Sequence, residues 1–194
     1  AASDVYKRQD VRGGIIHNYP LVKIGTQYWM RDNLEASSYV GGEALPRLDA
    51  VTANVVGYLQ SATEHYFYTA NVVLSNKILP AHWSIPDWKD WNILKDYLNG
   101  EASLLKSGTW LPLKAGEQVQ SATNLSGFNG IPVGMYVGAF QTDYEKKHLA
   151  YWTLDNANAA IDIKVFYLKS DTDIIEESNA GVDTKAFAIR CIRK

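Results

Sequence analysis

Residues 80–98, PAHWSIPDWKDWNILKDYL, constrain the fold more than any other stretch. Pro86 fixes its own φ and disfavours helix at Ile85, so a helix can begin only after it. Asp87 suits the N-cap, and Asp90 at the third helical position makes an imperfect capping box. Trp91, Leu94 and Leu98 recur at i, i+3 and i+7 as one apolar stripe, flanked by Ile93 and Tyr97. Lys89, Asp90, Asn92, Lys95 and Asp96 fall on the other side. Asn99-Gly100 is a stop, because glycine accepts the left-handed conformation past the last turn. The pattern predicts a core helix over residues 87–98.

Elsewhere the periods are shorter. Residues 21–24 and 27–30 read as a hairpin around Gly25-Thr26, with glycine placed for a type II′ turn. Residues 65–73 are apolar and aromatic, and their period fits a buried helix or a strand equally. Residues 114–130 are polar and rich in turn formers, and residues 127–140 read as short strands and loops crowded together. Residues 161–168 begin in alternation, with Ile161, Ile163, Val165 and Tyr167 on one face, and residues 174–178 return as a strand. Residues 185–193 alternate again: Phe187, Ile189 and Cys191 face inward, Arg190 and its neighbours outward, as in a half-buried strand. The expectation is an α+β fold in one soluble globular domain over residues 10–194.

The chain of 194 residues has room for a sizeable core. Its net charge of −2 gives no electrostatic footprint for nucleic acid or an anionic membrane. No apolar run is long enough for a transmembrane helix. A single cysteine, Cys191, rules out an internal disulfide. Residues 1–9 lack the apolar segment of a signal peptide, and SDVYKRQ within them looks like translated sequencing-adapter sequence. They are set aside as a non-native or disordered leader, and the chain is expected to be part of a longer surface protein.

Three blocks together carry a family resemblance. They are VKIGTQYWMRDNL at residues 22–34, HWSIPDWKDWNIL at residues 82–94 and FAIRCIR at residues 187–193. In this order and spacing the chain resembles the Fibrobacter succinogenes major paralogous domain over about residues 20–194. The resemblance implies a C-type-lectin-like fold, shared with formylglycine-generating enzymes. Such a fold has a mixed, mostly antiparallel sheet, paired terminal strands, one main helix and a long loop region. It also implies a secreted or cell-surface location and a role in adhesion or ligand binding, with no established catalysis. Leu79-Pro80 stands where the family often has Cys-Pro, so Cys191 is expected as a free core thiol.

No catalytic constellation emerges from the residues. His17, His65, His82 and His148 lack metal-ligand spacing, and neither a metal nor another cofactor is expected. Asp155-Asn156 after Trp152 faintly echoes a calcium motif, but calcium needs six or more oxygen ligands. In lectin-like folds ligands bind at the long loop region, here about residues 127–158. Tyr136, Tyr144, Asp155 and Asn156, with Trp88 as an outlying platform, are therefore the candidate ligand-binding residues. Aromatic planes beside short amides and carboxylates suit a polyhydroxylated ligand. The bland reading is that these aromatics are core and the polar residues only make turns. The expected function is a non-catalytic cell-surface adhesion or carbohydrate-binding module whose ligand is a glycan or a surface protein. The alternative is an assembly domain, such as a fimbrial tip, binding protein partners. An enzyme on the same scaffold ranks last.

Overall fold

The computed structural model describes residues 7–155, 162–179 and 184–194. Its strands are β1 (Lys7–Arg12), β2 (Ile15–Ile24), β3 (Gln27–Met30), β4 (Tyr58–Gln60) and β5 (Tyr66–Thr69). After helix α1 (Ala70–Ser75) come β6 (Trp83–Ser84) and helix α2 (Trp88–Tyr97). The chain continues through β7 (Tyr136–Val137), β8 (Ala139–Phe140), β9 (His148–Asp155) and β10 (Asp162–Lys169). It ends with β11 (Glu176–Asn179), β12 (Lys185–Phe187) and β13 (Ile192–Arg193). Lys7–Gln9 of the set-aside leader thus form the first half of β1.

Helix α2 forms for the local reasons visible in its sequence. The Asp87 carboxylate accepts from the Lys89 and Asp90 amides, while the Asp90 carboxylate accepts from the Asp87 amide. The capping box is complete rather than imperfect. Trp91, Leu94 and Leu98 are buried, and Asn99 and Gly100 both take positive φ at the stop. The ambiguous stretch 65–73 resolves into both alternatives, β5 followed by α1. The hairpin at Gly25 forms as expected, with φ +58° at the glycine.

The α+β, lectin-like expectation is corrected. Among the described residues the protein is mostly β, 37% strand against 12% helix, with three antiparallel sheets and only α2 as a substantial helix. The sheets have the orders β1-β2-β3-β13-β6, β11-β10-β9 and β4-β5-β12-β7-β8. The expected pairing of the terminal strands is met only in part. Ile192 of β13 lies opposite Trp29 of β3, but β12 joins β5 and β7 in a different sheet. Between them the backbone leaves any single ladder. Ala188 exchanges hydrogen bonds with β9, the Ile189 carbonyl accepts from Leu34 and the Cys191 carbonyl accepts from Met30. The last ten residues therefore tie three sheets together.

The sheet β11-β10-β9 separates two cores. One face carries Leu149, Tyr151, Phe166 and Leu168 against Trp29, Trp91 and Phe128. The other carries Ala150, Trp152, Ile163 and Val165 against Tyr68, Trp83, Phe187 and Cys191. Trp91 stacks on Phe166 at 3.8 Å and packs on Trp29 at 4.8 Å, so α2 is bound to the first core through its stripe. Because cores lie on both sides, the terminal segment is buried on both faces: Ala186, Ala188, Arg190 and Ile192 are as inaccessible as Phe187 and Ile189. The half-buried reading of residues 185–193 is corrected accordingly.

Candidate functional site

The residues singled out in the sequence do not converge. Tyr136 is buried, packs edge-to-face on Phe67 at 5.1 Å and donates to the Gln60 carbonyl at 3.2 Å. Tyr144 stacks on His148 at 4.5 Å, where β9 begins. Asp155 ends β9, seven residues on, so roughly 23 Å of strand separates the two positions at ~3.3 Å per residue. Only the backbone of Asp155 is described, paired with Asp162, and Asn156 lies outside the described residues. Trp88 is 37% exposed and lies under the Lys164 ammonium, 5.5 Å from its ring centroid. Lys164 pairs with Thr153, on the sheet face opposite Leu154, so Trp88 looks away from the Leu154 side.

Two of the pockets among the described residues are lined by several polar side chains from distant parts of the chain. The first, about 80 Å³, is lined by Asp32, Asn33, Glu35, His65, Asn129, Ile131, Val133 and Arg190. Arg190, one of these lining residues, is only 1% exposed. Its guanidinium donates to Asn33 Oδ1, to the carbonyls of Met30, Arg31, Phe128 and Asn129, and to the Tyr151 hydroxyl. Burial lowers its pKa, opposed by Tyr151 and Asp32. The Phe128 and Tyr151 rings cover its faces at 4.4 and 5.3 Å. Every donor is committed to holding the β3 end, the 128–129 turn and β9 together. Burial and then Asp32 raise the Glu35 pKa, and burial lowers that of His65. At this volume the pocket is well below the roughly 300 Å³ at which small-molecule sites begin.

The second pocket, about 280 Å³, approaches that size. Val73, Leu74, Ile85 and Leu154 give it aliphatic walls, and Asn76, Ser84 and Lys194 give it a polar rim. Asn76 ends α1 in the left-handed conformation, φ 54°, which asparagine tolerates well. Ser84 lies on β6, an edge strand. Leu154 is fixed because its amide donates to the Pro86 carbonyl at 3.0 Å, which also receives the Thr153 hydroxyl at 2.8 Å. The Lys194 ammonium bridges Asp87 at 2.8 Å and Asp90 at 2.9 Å. Burial pulls its pKa down, but these two bonds outweigh it and the pKa is raised. Two of its three protons are thereby engaged. An amide, a hydroxyl and an ammonium above aliphatic walls can hold a neutral, oxygen-rich molecule.

Sequence reasoning missed Asn76, Ser84 and Lys194 because each comes from a different element. It placed Arg190 outward by alternation. The available signal was its position between Ile189 and Cys191, in a terminal segment otherwise apolar on both faces. Among the described residues, no cluster of three or more His, Cys, Asp or Glu side chains could hold a metal ion, and no helix is long and apolar enough to cross a membrane.

The described residues form a β-rich domain with a small pocket between α1, β6 and Lys194. Residues 22–193 match the Fibrobacter succinogenes major domain, and the chain belongs to that family. Comparison with curated proteins and with solved structures gives no match.

Proposed function

We propose that this is a non-catalytic binding domain, displayed at the cell surface or outside the cell, whose ligand is a glycan seated in the α1–β6 pocket. The observation that carries the reading is the rim of Asn76, Ser84 and Lys194 over the walls of Val73, Leu74, Ile85 and Leu154. Sugars offer hydroxyls to such a rim and C–H faces to such walls. Among the described residues no aromatic side chain lines the pocket, so affinity belongs in the range of roughly micromolar to millimolar. The test is a glycan screen followed by Asn76→Ala and Ser84→Ala on any hit. Binding should weaken at least several-fold in both variants. A sugar bound unchanged by both, with the fold intact, would place the seat elsewhere. A second reading, assembly with protein partners, is favoured by the edge strand β1 and by the exposed Val11, Ile15 and Ile16 of its hairpin.

A further inference from the structure

We infer that the sugar seated in the α1–β6 pocket is a 2-acetamido-2-deoxyhexose, held by its acetamido group. The inference rests on the glycan reading of that pocket and deepens it.

The apolar part of the lining is branched and aliphatic. Val73 and Ile85 are buried, and Leu74 and Leu154 are partly open to solvent. The C–H face of a hexose ring is broad and flat, and gains most contact from a flat partner. Branched aliphatic side chains gather their contacts most fully around a compact group such as a methyl. Among the described residues the lining holds no aromatic ring, so a bare hexose leaves this surface poorly used. An acetamido group brings a methyl to it. At about 280 Å³ the pocket has room for one sugar unit, at the lower end of small-molecule sites.

The polar part of the lining suits the rest of the group. Among the described residues, neither the Asn76 carboxamide nor the Ser84 hydroxyl has a hydrogen-bond partner within the chain. In the Arg190 pocket, by contrast, Asn33 Oδ1 accepts from Arg190 and the Asn129 amide donates to Asp32. A trans acetamido group points its N–H and its carbonyl in opposite directions, so it needs two separate partners. Asn76 at the end of α1 and Ser84 on β6 are separate, and each can donate or accept.

The charges select against the other substituted sugars. The Lys194 ammonium lies between the Asp87 and Asp90 carboxylates, which leaves that side of the pocket net negative. A uronic or sialic acid meets these carboxylates without a free counter-charge. A free amine in place of the acetamide would bring an ammonium against the aliphatic lining, where its charge is costly to desolvate.

The test is calorimetric titration of the full chain with methyl glycosides at roughly 0.1 to 20 mM. N-acetylglucosamine or N-acetylgalactosamine should bind at least about fivefold more tightly than its parent hexose, its free amine and the matching uronic acid. In saturation-transfer NMR the acetyl methyl should receive more saturation than any ring proton. Asn76→Gly keeps the left-handed turn, φ 54°, and removes the carboxamide. It should bring the acetamido sugar to within about twofold of the hexose, with the circular dichroism unchanged. Equal affinity for hexose and acetamido sugar, tighter binding of the amine or the acid, or saturation centred on the ring would each overturn the inference and leave the glycan reading in place. A preference undiminished in folded Asn76→Gly would overturn it as well. A glycan screen without a hit would remove both.

Discussion

Arg190 donates twice to one oxygen of Asn33, at 3.2 Å from Nε and 2.7 Å from Nη2, across 157 residues of sequence. The two residues belong to the first and third blocks of the family resemblance, and the contact joins the ends of the domain. No carboxylate lies within ion-pair distance of this buried guanidinium among the described residues. Its charge is instead spread over carbonyl oxygens, a tyrosine hydroxyl and two ring faces.

Arg190→Met should therefore be severely destabilising. It fills similar volume but leaves several buried carbonyls without donors, at about 1–3 kcal/mol for each one that finds no substitute. A total loss of at least about 3 kcal/mol is expected in urea unfolding. Asn33→Ala removes one acceptor and should cost about 1–3 kcal/mol. If Arg190→Met unfolds within about 1 kcal/mol of the parent, the guanidinium is not the tie described here.

What was legible in the sequence was what is decided locally. Helix α2 is specified by Pro86, Asp87, Asp90 and one apolar stripe, all within a dozen residues, and it forms as read. Strands such as β6, β7 and β13 are two residues long and carry no period. They exist because distant partners meet them, so the three-sheet architecture could not be read from them. Alternation misplaced Arg190 because it assumes water on one side of a strand, whereas residues 186–192 have a core on each side. The candidate pocket was illegible for a related reason: Asn76, Ser84 and Lys194 meet only after α1, β6 and the chain end are assembled.

Cys191 should be inert in the native state. Burial, the largest influence, pushes its thiol up to about 12, opposed by Arg12 and Arg190. Little thiolate is present at neutral pH, and thiolate is the reactive form. Thiol labelling should be slow in buffer and complete in denaturant. Cys191→Ser should cost about 1–3 kcal/mol if the hydroxyl finds no partner. Fast labelling of the folded protein would contradict the burial of residues 186–192.

Asp87 has two roles that substitution can separate. Its carboxylate caps α2 through the amides of Lys89 at 2.9 Å and Asp90 at 3.1 Å, and it also meets Lys194. The cap is worth about 1–2 kcal/mol. The ion pair is partly exposed and worth under about 1 kcal/mol. Asp87→Asn should thus keep most of the cap and stay closer to the parent than Asp87→Ala, with Lys194→Ala the mildest of the three. A Lys194→Ala variant less stable than Asp87→Ala would reverse this ranking.

His148 should make the fold sensitive to mild acid. The ring is buried and stacked on Tyr144 at 4.5 Å, and neither nitrogen has a hydrogen-bond partner. Burial first, then the Lys169 charge, lowers its pKa to about 4, with Asp171 and Glu176 opposing and Lys147 adding. In the unfolded chain the same ring takes up its proton near ~6.5. Between those values the unfolded state binds the extra proton and the folded state does not. Stability is therefore present in full above about pH 6.5, falls as pH drops, and stops falling from this source below about pH 4. His148→Phe keeps a ring on Tyr144 and removes the titration. His65, also held down by burial, is common to both proteins, so the comparison isolates His148. Urea midpoints measured at pH 7, 5.5 and 4.5 should fall more steeply for the parent than for His148→Phe. Parallel slopes would mean that position 148 is accessible to protons in the folded state.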